Sequence, residues 1–159
     1  RSGVKIATDT FPLGIGFIAA YAKKIFGDNV EIIMFKYPEL FGSTAPGGAG
    51  FATEKTIQEN DGAESEFIKF ASGYNTWDLA KKYAERKSAP PLRPLIWVGS
   101  KEANYKPNLN FMDYLDQLGI PYQKLVAPGI GHNAGRIYEI RGDAILEFHN
   151  ANFKRLLAK

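Results

Sequence analysis

The apolar runs Leu95 to Val98 and Tyr122 to Val126 bracket a stretch in which Phe111, Leu115 and Leu118 recur at helical steps. A short β-prone run, an amphipathic helix and a second short run, punctuated by glycine and proline, leave few folds open. Two parallel strands joined by a crossover helix satisfy that order. The start of the chain repeats it. Val4 to Ala7 is β-prone, and Ile18, Ala22, Ile25 and Phe26 recur at helical steps with Lys23 and Lys24 turned outward. Val30 to Phe35 is then a nearly continuous β-branched and aromatic run, the pattern of a strand buried on both faces of a parallel sheet. Strands alternating with helices predict a single α/β domain over residues 1–159. The strand count and the connection rule predict a three-layer sandwich with a mostly parallel sheet of about four or five strands.

Three stretches make up this domain: a βαβ segment over 1–37, an irregular connection over 38–72, and a second alternating segment over 73–159. Tyr37 to Phe51 carries Pro38, Pro46, Gly42, Gly47, Gly48 and Gly50, and reads as a long surface loop. Glu54 to Glu66 is acidic and reads as partly helical. Asn75 or Thr76 is placed to cap a helix with Trp77, Ala80, Tyr83 and Ala84 on one side and Asp78 in its first turn. Trp77 and Trp97 read as core residues. Asn108 is expected to cap the next helix, and Gly119 to take the left-handed position after it. Gly142 to Leu157 reads as a last helix, with Ile145, Phe148, Asn152 and Leu156 in phase.

Composition narrows the function classes. Of 159 residues, 45% are hydrophobic and 23% charged, which is globular rather than disordered composition. The net charge of +3 is scattered rather than gathered into a basic stripe, so nucleic acid is not an expected partner. With no cysteine there is no disulfide framework, thiolate zinc site or cysteine nucleophile, and a reducing cytoplasm is the default compartment. No apolar run approaches the roughly 20 residues that span a bilayer, and no signal-peptide core precedes the first strand, so no membrane association is expected. Beginning at Arg1, the chain reads as a fragment, a processed product or an engineered piece. Two separated histidines are too few for a metal site, and no cofactor is expected.

In open α/β sheets the reactive groups collect at the carboxyl ends of the strands. Glu102 follows one strand after Gly99, and His132 follows the next within Gly129-Ile130-Gly131-His132-Asn133. A carboxylate and an imidazole in successive strand-end loops can meet in space. The acid would then hold one ring nitrogen and leave the other as a general base. His149, between Phe148 and Asn150, reads as a packing or surface residue without a role.

The run Arg93 to Glu102, the helix Asn108 to Leu118, the strand Tyr122 to Val126 and the loop Pro128 to Asn133 resemble the C-terminal portion of α/β-hydrolase family esterases, over residues 73–158. The resemblance implies Glu102 as the triad acid, where the family usually has Asp, and His132 as the triad base. It also implies a small-molecule ester as substrate. The serine elbow Gly-x-Ser-x-Gly of that family does not occur here. By chain order Ser43 is the candidate nucleophile, although it sits in Gly42-Ser43-Thr44 without the flanking strand and helix of an elbow. Ester hydrolysis is accordingly expected to be weak or absent.

Thr10 to Tyr21, with Pro12-Leu13-Gly14-Ile15-Gly16, is similar to the start of the cobalamin-binding domain attached to many radical-SAM enzymes. The same glycines imitate a dinucleotide fingerprint, but Phe35-Lys36 stands where a ribose-binding carboxylate belongs. On this alternative Thr10, Leu13, Gly14 and Gly16 would line a cobalamin or nucleotide site at a helix N-terminus. Two partial likenesses meeting near residues 37–43 suggest a chimeric chain. A scaffold with no ligand is the third reading. A sheet cut short in this way would expose an edge able to pair with a second copy, giving a homodimer.

Overall fold

A computed structural model of the chain describes residues 34–51 and 73–157. In chain order these form β1 (Ser43–Thr44), α1 (Thr76–Glu85), β2 (Arg93–Gly99), α2 (Tyr105–Gln117), β3 (Gln123–Ala127) and α3 (Ala134–Leu157). The expected first strand and helix, the candidate ligand residues Thr10, Leu13, Gly14 and Gly16, and the acidic stretch 54–66 lie outside the described residues.

The sheet is parallel, in the order β1-β2-β3, so among the described residues three strands realise the α/β fold. Leu95 to Gly99 pair one-to-one with Gln123 to Ala127, and Ser43 and Thr44 pair with Arg93 and Pro94. β3 is paired on one side only within this set. β2 is central, and every residue from Pro94 to Gly99 is buried. Its side chains alternate between two cores, as a pleated strand requires. Ile96 enters a cluster with Leu79 and Ala80 of α1 and Phe111, Met112 and Leu115 of α2. Leu95 and Trp97 enter a second cluster with Leu125, Ala127 and the α3 residues Ile137, Ile145 and Phe148. Helices therefore cover both faces in three layers.

Phe111 is the hub of the first core. Phe51 stacks on it at 4.1 Å between ring centroids, and Trp77 meets it edge-on at 5.1 Å. The indole N–H of Trp77 donates to the Phe51 carbonyl at 2.7 Å, so the ring is core on one side and tethered on the other. The Asn75 side chain accepts from the backbone N–H of Asp78 at 3.0 Å, the expected cap of α1. Gly119 has φ +68°, the left-handed position expected after α2.

Four local expectations are corrected. Residues 34–36 are helical rather than the end of a strand. Met34 and Phe35 are consecutive and both buried in the first core, and a short apolar run does not by itself separate a buried helix from a strand. Tyr37 to Phe51 is no surface loop: its middle runs alongside β2, with Arg93 N–H donating to Gly42 O and Trp97 N–H to Pro46 O. Proline fits there because its carbonyl, not its missing N–H, makes the ladder bond. α2 begins at Tyr105, so Asn108 lies inside the helix and does not cap it. α3 begins at Ala134, two turns before Gly142. There the Asn133 side chain accepts from Arg136 N–H at 2.9 Å, a cap that, with the buried Ile137, Ile145 and Phe148, offsets the roughly 1 kcal/mol each that Gly135 and Gly142 cost in a helix.

Phe111→Ala is expected to cost about 3–5 kcal/mol of unfolding free energy, because the rings of Phe51 and Trp77 that pack on it cannot close over the cavity; urea unfolding measures it. His149, packed between Phe148 and Phe153, is held below its ordinary pKa of 6.5 by burial. The unfolded chain then binds the extra proton more readily. The favourable state is complete above about pH 6.5 and is lost as the pH falls. His149→Gln is expected to flatten the stability profile between about pH 7 and 5 in the same experiment.

Candidate active site

Beyond Gly99 the chain turns sharply, with Glu102 N–H donating to Gly99 O at 3.1 Å. The turn folds the glutamate back over the strand end. Gly99 N–H donates to Glu102 Oε1 at 2.7 Å, and the carboxylate is buried, with its side chain only 1% exposed. A buried carboxylate needs partners for both oxygens. The second is His132, whose Nδ1 lies 2.8 Å from Glu102 Oε2.

The histidine loop is set onto the acid loop by backbone contacts. Ser100 N–H donates to Ala127 O and Lys101 N–H to Ile130 O, while Gly129 N–H donates to the Ser100 hydroxyl at 2.8 Å. Gly99 must be glycine for this approach, since a Cβ there would collide with the Ile130 and Gly131 carbonyls. Gly129, at φ +72°, makes the turn that returns the chain. The result is asymmetric. The acid is buried, whereas the His132 side chain is 73% exposed, and its Nε2 bonds no described residue. With Nδ1–H donating to the carboxylate, the Nε2 lone pair is free to take a proton.

Gly48 is the site residue that pattern reading misses. It follows β1, has φ +59°, and donates its N–H to Trp97 O at 2.9 Å. A Cβ built on it would stand 2.6 Å from Glu102 Oε2 and 3.1 Å from the Nδ1 and Cε1 of His132. Backbone alone can occupy that wall of the pair. The paired glycines Gly47-Gly48 carried the signal, since Gly47 likewise leaves no room for a side chain over the Trp97 ring.

The three catalytic candidates do not converge. Glu102 and His132 meet. Ser43 pairs with Arg93, at the opposite end of β2 from Gly99, which is about 20 Å away at roughly 3.3 Å per residue. The other described serines are Ser88, in the turn after α1, and Ser100, whose hydroxyl accepts from Gly129. Among the described residues no group of three or more carboxylates and histidines could hold a metal ion, and no helix is long and apolar enough to cross a membrane.

The sequence matches no protein-family model and no curated protein. Its fold is nevertheless shared. The apoenzyme of the S-formylglutathione hydrolase FrmB of Staphylococcus aureus superposes with a TM-score of 0.58 at 20% identity, over 84% of this chain and 58% of that one. The fluorophosphonate-binding serine hydrolase FphF of Staphylococcus aureus, with substrate bound, gives 0.57 at 21% identity, over 84% and 59%. This chain thus spans a little under three fifths of the length of either hydrolase. The covered share also exceeds that of residues 73–158, to which the sequence resemblance was confined. Over the matched part the chain has a hydrolase-like α/β fold.

Gly48→Ala is expected to lower stability by about 1–3 kcal/mol, through a left-handed backbone that alanine resists and the displaced carboxylate beside it. Urea unfolding of Gly48→Ala, and of Gly50→Ala at an open position as control, measures the difference.

Proposed function

We propose that this chain is an esterase-type α/β-hydrolase domain in which His132, oriented by Glu102, serves as general base toward a small carboxylic ester, with weak turnover. The observation that carries the reading is the 2.8 Å contact between an exposed imidazole and a buried carboxylate, at adjacent strand ends of a parallel sheet. The resemblance of residues 93–133 to esterases and the fold shared with two serine hydrolases support it.

Glu102 holds the Nδ1–H and fixes the ring, so that Nε2 accepts the proton of the attacking hydroxyl as its oxygen bonds the acyl carbon. The resulting imidazolium is stabilised by the carboxylate, which itself takes no proton. When the tetrahedral adduct collapses and the acyl–oxygen bond breaks, His132 returns the proton to the departing alcohol. With no described serine bonded to Nε2, water is the nucleophile assigned here. Water in place of a positioned serine forgoes covalent catalysis, and turnover is slow for that reason.

Hydrolysis of p-nitrophenyl acetate, followed against free imidazole at equal concentration, tests this. The chain is expected to exceed imidazole modestly, His132→Ala to fall to the buffer rate, and Glu102→Gln to lose at least about tenfold of the excess. Equal rates for the unaltered chain and His132→Ala would show that the pair is architecture without chemistry.

A further inference from the structure

Two asparagines at the start of α2 depart from the usual habits of their positions. Asn104 occupies the N-cap, where an asparagine side chain ordinarily accepts a hydrogen bond from the first helical turn. Here it makes no such bond. Its amide instead donates to the Gly48 carbonyl at 2.8 Å. Asn108 lies within the helix, where asparagine is a poor residue, and is fully buried. Its amide donates to the Ala49 carbonyl at 2.6 Å and to Asn104 O at 2.7 Å, while its Oδ1 is buried without a partner among the described residues. An orphaned buried oxygen is costly. Polar groups that break local preference at a cost are expected where function requires them.

The two amides take adjacent carbonyls of one loop, Asn104 that of Gly48 and Asn108 that of Ala49. Gly48 is the backbone wall against Glu102 Oε2 and the His132 ring. The helix that opens just after Glu102 therefore also grips the strand-end loop facing it.

We infer that Asn104 and Asn108 are positioning residues, a two-amide clamp that holds the Gly48-Ala49 backbone against the Glu102–His132 pair and so keeps Nδ1 of His132 on the carboxylate. The inference rests on the acid–base reading of that pair, and its test separates the two. The readout is the neutral tautomer of His132 by two-dimensional ¹H–¹⁵N spectroscopy of the imidazoles. The chain has two histidines, so the signals missing from His132→Ala identify those of His132.

In the unaltered chain the Nδ1–H tautomer is expected to dominate. In Asn104→Ala, and in Asn108→Leu, which keeps volume but removes the donor, the ratio of Nε2–H to Nδ1–H is expected to rise about fivefold, the change that one lost hydrogen bond supports. A merely structural role would leave this ratio alone. Folded variants with the unaltered tautomer ratio overturn the clamp. Should Asn108→Leu fail to fold, Asn104→Ala decides by the same criterion, since its side chain is only half-buried. If Nε2–H already dominates in the unaltered chain, the acid–base reading itself fails, and the clamp falls with it.

Discussion

β2 is hydrogen-bonded on both sides and buried on both faces, and the positions of the other described elements follow from that. A strand in this situation has no surface to leave to solvent. Each residue must match either the core of α1 and α2 or the core of α3, and Leu95, Ile96 and Trp97 do so by strict alternation. Parallel pairing also fixes polarity. The carboxyl ends of all three strands lie at one end of the sheet, so loops distant in sequence open beside one another there. Glu102, His132 and Gly48 are those three loops.

The contact of Glu102 with His132 was legible because each partner stands a few residues beyond a recognisable strand, and adjacent parallel strands bring such positions together without further information. The longer acid was less easily read. Glutamate at this position works because the turn of residues 99–102 spends one carboxylate oxygen on the Gly99 N–H, which directs the other to His132.

What pattern reading missed is long-range. The contacts of Asn104 and Asn108 with Gly48 and Ala49 span 56 and 59 positions, and no periodicity connects residues so far apart. Asn108 looked like a cap because capping is the usual reason for asparagine near a helix start, and only the tertiary contact shows its amide facing the loop after β1. The glycines and prolines of residues 37–51 likewise signalled a loop by their local preferences. Their close approach to β2 used those same properties, Gly47 to clear the Trp97 ring and Pro46 to offer a carbonyl. The early start of α3 escaped for a related reason: Gly135 and Gly142 weaken a helix whose buried face, with Ile137, Ile145 and Phe148, compensates for them.

Burial divides the labour within the site. Glu102 is withdrawn from water, where a carboxylate's attraction for a neighbouring cation is least screened, and His132 is left in it, where a proton can arrive and leave. Reversing the two would strand the base and screen the acid. That asymmetry is what a general base requires of its supports. It also sets the limit on the chemistry: an imidazole oriented in this way can activate any hydroxyl brought to Nε2, but Ser43, fixed by its pairing with Arg93 at the far end of β2, is held away from it. On the proposed reading, the hydrolytic rate would be governed by what reaches Nε2 from solution, and the orientation of the ring would govern only how well that encounter is used.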